Sequence, residues 1–544
     1  TGDNVFEGGF LGLDNIGVFD RRYPLPDGSR IAQSDGTAWM AQFCLSMLKI
    51  AIELAEEEPE YEDIADKFLN DFIYLAAAIN STGTGGLALW DDEDGFYYDV
   101  LRRPDGSSAY LRTRSVAGLT PLFAVESFDP ATVLKLPLLR KRYQWFEKHR
   151  PHLMAKLQHI KEDVDGRKLL DLSMGFGAML AGHLNPIVVE EIQSSLRTGM
   201  LFVTPSPIST DAAELICKRF GIDQVRFTNS GTESTMYAVR VARSATGKMG
   251  LLKVEGGYHG SYDPFVVSSK PSLDVIGDPE NPIPAIDSNL VPGDIYVVPF
   301  NNLSALERMF EANSSKIACF IVEPVLENLA IILPDAGYLE GVRALCDKYD
   351  VILIFDEVKT GLTAGAHGAS ARLGVQPDLI TLAKSIGGGL PLAAFGGKKK
   401  YMDYVTSGKM AHFGTFNGNP LAMAGVRAID RICTDEAMEK AEALNMQALT
   451  RISAIIDEYE LPAHTVGFGV KGCVTWSTTP VRNYRDYKAT DFGIAEAHWL
   501  FSLNRGIITP PGLDEQWLIS LAHGQAEIDL LVEDFREFAV ALRG

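Results

Sequence analysis

Hydrophobic positions fall in two different rhythms along this chain. Over residues 1–157, TAWMAQFCLSMLKIAIELAEEE and YEDIADKFLNDFIYLAAAIN place apolar residues at helical spacing with charges on the other face, which predicts amphipathic helices. RRYPLPDGSR and DDEDGFYYDVLRRPDGSS read as polar loops, and LRKRYQWFEKHRPHLMAKLQHI as a closing helix. This first segment is therefore expected to be all-α.

From about Lys161 the rhythm changes. The short apolar runs VRFTNS, GLLKVEG, IACFIVEPV, VILIFDEV and LITLAK alternate with helical stretches such as ESTMYAVRVARSATG and GYLEGVRALCDKYD. That alternation predicts βαβ units, an α/β domain whose mostly parallel sheet is covered by helices. From roughly Thr434 helices return with a few strands (GCVTWS, GIITPP), which predicts a smaller α+β domain.

Composition narrows the partners. The formal charge of −21 over 544 residues argues against nucleic acid or an anionic membrane surface. Six scattered cysteines, with no CxxC pair and no zinc spacing, fit a reducing, cytoplasmic compartment and no metal site. No signal peptide is visible, and no apolar run approaches the ~18 residues of a membrane span. The chain opens at TGDNVFEGGF without an initiator methionine, as a fragment or a processed form would.

Several familiar motifs fail. GGK at 396–398 lacks the upstream glycine and following hydroxyl of a phosphate-binding P-loop, and GFGAMLAG lacks the third glycine of a dinucleotide fingerprint. HExxH and GxSxG are absent. His259, in GGYHGSYD, is the one histidine kept as a site candidate.

Three stretches carry chemistry. In NSGTESTMYAVRVAR, Ser230, Gly231 and Thr232 lie between a strand and a helix, where free N–H groups can hold a phosphate; the same residues also suit an ordinary helix cap. VILIFDEV closes its apolar run with Asp356-Glu357, beyond a strand end where ligands bind; a carboxylate there can pair with a cationic ring nitrogen, or serve as a helix cap or structural ion pair. LITLAKSIGGG puts Lys384 on an apolar run, where a free ammonium is costly and a lowered pKa would make the amine a nucleophile. Phosphate cradle, carboxylate and Schiff-base lysine together point to pyridoxal 5'-phosphate.

Residues ~161–544 resemble a class III aminotransferase of the pyridoxal-phosphate fold type I, most of all its glutamate-1-semialdehyde 2,1-aminomutase-like branch. The likeness rests on VRFTNSGTESTMYAVRVARSATGK, EGGYHGSYD, IVEPVLEN, GYLEGVRALCDKYDVILIFDEVKTG, GVQPDLITLAKSIGGGLP, FGTFNGNPLAMAG and DEQWLISLAH, in family order. It implies a mostly parallel seven-stranded sheet covered by helices, with a large domain at 196–433 and a small one from 158–195 and 434–544. By resemblance, Lys384 is the cofactor-bonding lysine and Asp356 the partner of the ring nitrogen. Val358 and Tyr258 flank the ring, and Asn328 bonds the phenolic oxygen. Ser230, Gly231 and Thr232 form the phosphate cup. Thr415 is contributed by a partner subunit, which implies a homodimer. Glu515 and Trp517 fall where the substrate pocket is lined. The implied activity passes an amino group from an amine or amino acid to a keto acid or aldehyde, with intramolecular transfer of the aminomutase type as the alternative.

The first ~157 residues, through NVFEGGFLGLDNIGVFDRRYPLP, GLTPLFAVESFDP and LRKRYQWFEKHRPHL, resemble part of an (α/α)-barrel glycoside hydrolase of the family 63-like kind. Asp14 matches its general acid. Glycoside hydrolysis needs a second carboxylate, and in that family it lies further along, where this chain has turned to the aminotransferase pattern.

Overall fold

Runs such as IACFIV and ILIF offer no polar face, so each must be covered on both sides. The computed structural model builds them into the interior of one sheet. It describes residue 25 and residues 27–55, 58–80, 88–91, 96–112, 136–138, 141–142, 145, 148, 169–204, 206–287, 289–510 and 516–543. The chain divides into two compact units, Thr1–Arg167 and Lys168–Gly544.

In the first unit, helices Ser34–Ala55 and Tyr61–Asn80 form where the periodicity predicts them. Their apolar stripes meet through Leu48, Ala51, Ile52 and Ala65. The all-α expectation is corrected by the segment between them and the closing helix. Arg30–Ala32, Asp99–Arg102 and Ser108–Leu111 make a three-stranded antiparallel sheet, and Trp90–Asp91 pairs with Phe96–Tyr97. The supposed polar loop holds an alternation, with Tyr98 and Val100 buried, and its RRPDGSS is a hairpin turn in which Asp105 accepts from the Ser107 N–H at 2.9 Å. A second correction concerns apolar length. The helical segment Gly36–Ala55 is, by length and composition alone, long and apolar enough to cross a membrane, but it packs one face on its helical neighbour. Asp14 lies outside the described residues.

The second unit is built on seven strands: β1 (Gln224–Thr228), β2 (Gly250–Val254), β3 (Ile295–Val298), β4 (Ile317–Val322), β5 (Ile352–Glu357), β6 (Leu379–Ala383) and β7 (Ala393–Gly397). Their order is β3-β2-β4-β5-β6-β7-β1. Only β7 runs against its neighbours; the other adjacent pairs are parallel. This is the mostly parallel, seven-stranded α/β sheet that the resemblance implies. Helix α1 (Gly231–Thr246) buries Ala238, Val239, Val241 and Ala242 with Ile321 and Ile354, while α2 (Tyr338–Tyr349) buries Leu339 and Val342 with Phe320 and Phe355. Successive strand residues point to opposite faces, so the two helices cover the two sides of β4 and β5.

A smaller α+β layer follows. Strands His464–Phe468, Lys471–Thr475 and Trp517–Leu518 pair antiparallel, against helices α3 (Asp435–Glu458) and α4 (Gln525–Arg543). Ile452, Ile455, Ile528, Leu531 and Phe535 form its core. Leu170–Asp171 pairs in parallel with Ile507–Ile508, so the start of this unit is joined to its tail.

Candidate active site

The strand period sorts the two carboxylates that end β5. Glu357 turns to the short helix Gly368–Leu373, accepting from the Ala369 N–H (2.6 Å), the Ser370 N–H (3.0 Å) and the Ser370 hydroxyl. Burial pushes its carboxyl up to about 7. Asp356 faces the other way and accepts from Thr381 Oγ1 (3.0 Å) and the Val358 N–H (3.1 Å). The third partner is His259, whose Nδ1 is 2.7 Å from Asp356 Oδ2. Burial holds the His259 ring below its usual pKa against the pull of Asp356, and its Nε2 has no hydrogen-bond partner among the described residues. A neutral ring with a bare Nε2 carries its proton on Nδ1 and donates it to Asp356.

Lys384 follows β6, which pairs in register with β5, so its side chain emerges beside Asp356. Its backbone is left-handed, at φ 53°, a conformation that costs energy for a residue with a Cβ and recurs at functional sites. Other buried lysines are hydrogen-bonded. Lys253 Nζ donates to the Phe265 and Val267 carbonyls, both at 2.7 Å. Lys359 Nζ donates to the Glu327 carbonyl at 2.5 Å, and Lys471 Nζ is 2.7 Å from Glu327 Oε2. Lys384 has no such partner among the described residues, and it lines a cavity of about 290 Å³. Burial and the neighbouring Lys471 charge lower its pKa, against the pull of Asp356, Glu323 and Glu327.

The same cavity reaches the start of α1. Ser230 is the helix cap, its Oγ accepting from the Glu233 N–H at 3.3 Å while Glu233 reaches back to the Asn229 N–H at 2.7 Å. The ordinary cap is thus formed, and it still leaves the first-turn N–H groups of Gly231 and Thr232 unpaired among the described residues. Tyr258, Asn328 and Val358 line the cavity as well. A methyl at Gly231 would sit 3.1 Å from Val358 Cγ1, and one at Gly260 2.4 Å from Thr232 Oγ1, so the cup is kept open by missing side chains. An unpaired lysine, a fixed carboxylate and a helix start with free N–H groups, all on one cavity, fit pyridoxal phosphate.

Other sequence candidates lie elsewhere. Thr415 is exposed on a second, larger cavity of about 810 Å³, with Phe413 and Phe202. Trp517 does not line the Lys384 cavity: it is 2% exposed, covers Gly472 and donates its indole N–H to Asn445 Oδ1 at 2.8 Å. Size drives that placement, since the small-domain core takes the ring. Glu515 lies outside the described residues. Sequence reasoning passed over Glu323, Lys359 and Thr381, although Glu323 ends an apolar strand just as Asp356 does, the signal that could have found it.

Known proteins resemble this chain over the residues that carry the cavity. A family model described as aminotransferase class-III matches residues 154–489. A glutamate-1-semialdehyde 2,1-aminomutase of Salinibacter ruber is 37% identical over 385 residues, covering 69% of this chain and 86% of that protein. An omega-transaminase from Sphaerobacter thermophilus superposes with a TM-score of 0.66 at 29% identity, over 69% of this chain and 87% of its own. A glutamate-1-semialdehyde aminomutase from Pseudomonas aeruginosa PAO1 gives 0.64 at 26% identity, over 70% and 85%. With the Lys384 cavity lying within the matched residues, the chain belongs to the class III aminotransferases of the pyridoxal-phosphate fold type I, enzymes that work through pyridoxal 5'-phosphate.

Proposed function

We propose that this transaminase moves an amino group from a small amine or amino acid to a keto acid or aldehyde, with Lys384 as the residue that bonds the cofactor and moves the proton. The supporting observation is the placement of Asp356 near the end of β5 and of Lys384 directly after the adjacent, registered strand β6, around one cavity. The cofactor supplies an electron sink, its protonated ring accepting the electron pair left when the amine-bearing carbon loses a proton. Asp356, fixed by His259, Thr381 and the Val358 N–H, keeps the proton on the ring nitrogen. Lys384 Nζ takes the proton from carbon and returns it, and the lowered pKa raises its neutral, basic fraction. Gly231, Thr232 and Ser230 would hold the phosphate, Tyr258 and Val358 would flank the ring, and Asn328 would bond its phenolic oxygen, all of them lining the one cavity.

Reduction of the holoenzyme with borohydride should fix the cofactor on Lys384, and mass mapping reads the site. Fixation on another lysine, or none in a protein saturated with cofactor, overturns the assignment. Intramolecular transfer is the second reading, favoured by the 37% identity to an aminomutase. Glutamate-1-semialdehyde isomerised with no second substrate would establish it, and amino transfer that needs a separate acceptor would exclude it.

Thr415 is assigned to a partner's site in a homodimer, which its absence from the Lys384 cavity and the exposure of Phe413 and Phe416 support. Sedimentation should give a dimer. All six cysteines are free thiols, which supports a cytoplasmic location. The first unit is assigned as a fused glycoside-hydrolase-like fragment without hydrolysis. Sugar release from α-glucosides that Asp14→Ala abolishes would overturn that.

A further inference from the structure

Glu323 follows β4 directly, and because Val322 pairs in register with Phe355, it emerges beside Asp356 at the same sheet edge. It is 2% exposed and lines the Lys384 cavity. Its partners come from two loops. Oε1 accepts from the Tyr258 N–H at 3.4 Å, while Oε2 accepts from the Asn328 side-chain amide at 2.8 Å and the Glu327 N–H at 3.2 Å. All three are N–H donors, and both oxygens are used. Only a carboxylate offers two accepting oxygens in this shape; a glutamine would set its own NH₂ against at least one donor.

We propose that Glu323 is a positioning residue of the cofactor pocket, its carboxylate fixing the Asn328 amide and the Tyr258 backbone relative to each other across the cavity. This rests on the functional reading above. One Asn328 N–H is committed to Glu323, so the orientation of the amide is set and its second N–H is left to the cavity. Tyr258 and Asn328 are far apart in sequence, and Glu323 is the group that joins them. Four charged groups surround it: Asp356 and, as cations, Lys359, Lys384 and Lys253. Burial and Asp356 push its carboxyl up to about 7, while Lys359 and the N–H donors pull it down. The charge of Glu323 therefore also favours a protonated nitrogen at Lys384.

The test compares Glu323→Gln and Glu323→Ala with the unaltered protein by three readouts. These are the dissociation constant for pyridoxal phosphate, the pH midpoint of the visible band of the bound cofactor, and the circular dichroism of that band. In both variants the dissociation constant should rise about tenfold, as expected when a buried donor is left unpaired. The midpoint should fall by about half a pH unit or more, because the lost negative charge favoured the protonated nitrogen. The dichroism should weaken. A merely structural glutamate would lower the melting temperature and leave midpoint and dichroism unmoved, and that result overturns the proposal. Should the alanine variant fail to fold, the near-isosteric glutamine variant decides alone. An unaltered protein that takes up no cofactor overturns the functional reading and this proposal with it; normal uptake with unchanged variants overturns this proposal only.

Discussion

His259 Nδ1 and Asp356 Oδ2 are 2.7 Å apart in a buried pair whose other imidazole nitrogen has no partner among the described residues. The histidine thus serves the carboxylate. Asp356→Asn should lower kcat by roughly 100-fold or more, about 3 kcal/mol of transition-state stabilisation. His259→Ala, which removes one of three donors, should cost roughly tenfold. If His259 acts only through Asp356, the double variant is no slower than Asp356→Asn alone. Steady-state kinetics showing additive losses would refute that dependence.

Gly260 has φ of +105°, and a Cβ there would lie 2.4 Å from Thr232 Oγ1 and 2.8 Å from Thr232 Cα. Gly260→Ala should therefore displace the cup, weakening cofactor binding roughly tenfold or more and costing about 1–3 kcal/mol of stability. Cofactor titration and denaturant melts check the two parts separately. Unchanged binding would show that the helix start is not the phosphate anchor.

Lys471 and Glu327 form an ion pair with 3% and 0% of their side chains exposed. Lys471→Met leaves a buried carboxylate unpaired and should destabilise by about 3–5 kcal/mol. Adding Glu327→Gln should restore most of that loss. Melts of both variants test it, and a single variant as stable as the parent would mean that water already reaches Glu327.

His412 packs edge-on against Tyr237 and Phe395, with ring centroids at 4.6 and 5.1 Å, and its Nε2 accepts from Asn417 at 3.2 Å. Burial and the nearby Arg226 and Arg240 push its pKa down to about 4, against Glu233. The unfolded chain therefore takes up a proton below about pH 6.5 while the folded chain does not. Stability from this group is lost as pH falls from 6.5 towards 4. His412→Gln should flatten that dependence in denaturant titrations at pH 7 and 4.5. An identical slope in the variant would exclude His412 as the source.

The interior strands were legible because they lack a polar face: VILIFDEV became Ile352–Glu357 and LITLAK became Leu379–Ala383. Lys384 and Asp356 could be read for the same reason, as charges ending apolar runs. The choice between Asp356 and its neighbour Glu357 needed the strand register, which resemblance supplied and periodicity alone did not. FYYDVLR was misread because its alternation is short and flanked by charge, and burial of Tyr98 and Val100 reveals it only after folding. The Glu327–Lys471 pair spans 144 residues and the His259–Asp356 pair 97, so no local pattern announces either. Trp517 was misplaced because chain order puts it near the pocket, whereas core packing decides where a large ring goes.

The sheet order sets the cavity's residues on strands of unequal security. Asp356 lies one residue before the end of β5 and Lys384 directly after β6, strands each bonded on both sides, whereas the cup follows β1, an outermost strand. Backbone amides of an edge strand exchange with solvent through small openings, while interior ones wait for larger ones. Exchange should therefore be slower at the Asp356 and Lys384 side of the pocket than at the start of α1. A bound phosphate ester alone should slow the faster side, so cofactor loading doubles as a clasp on the margin of the sheet.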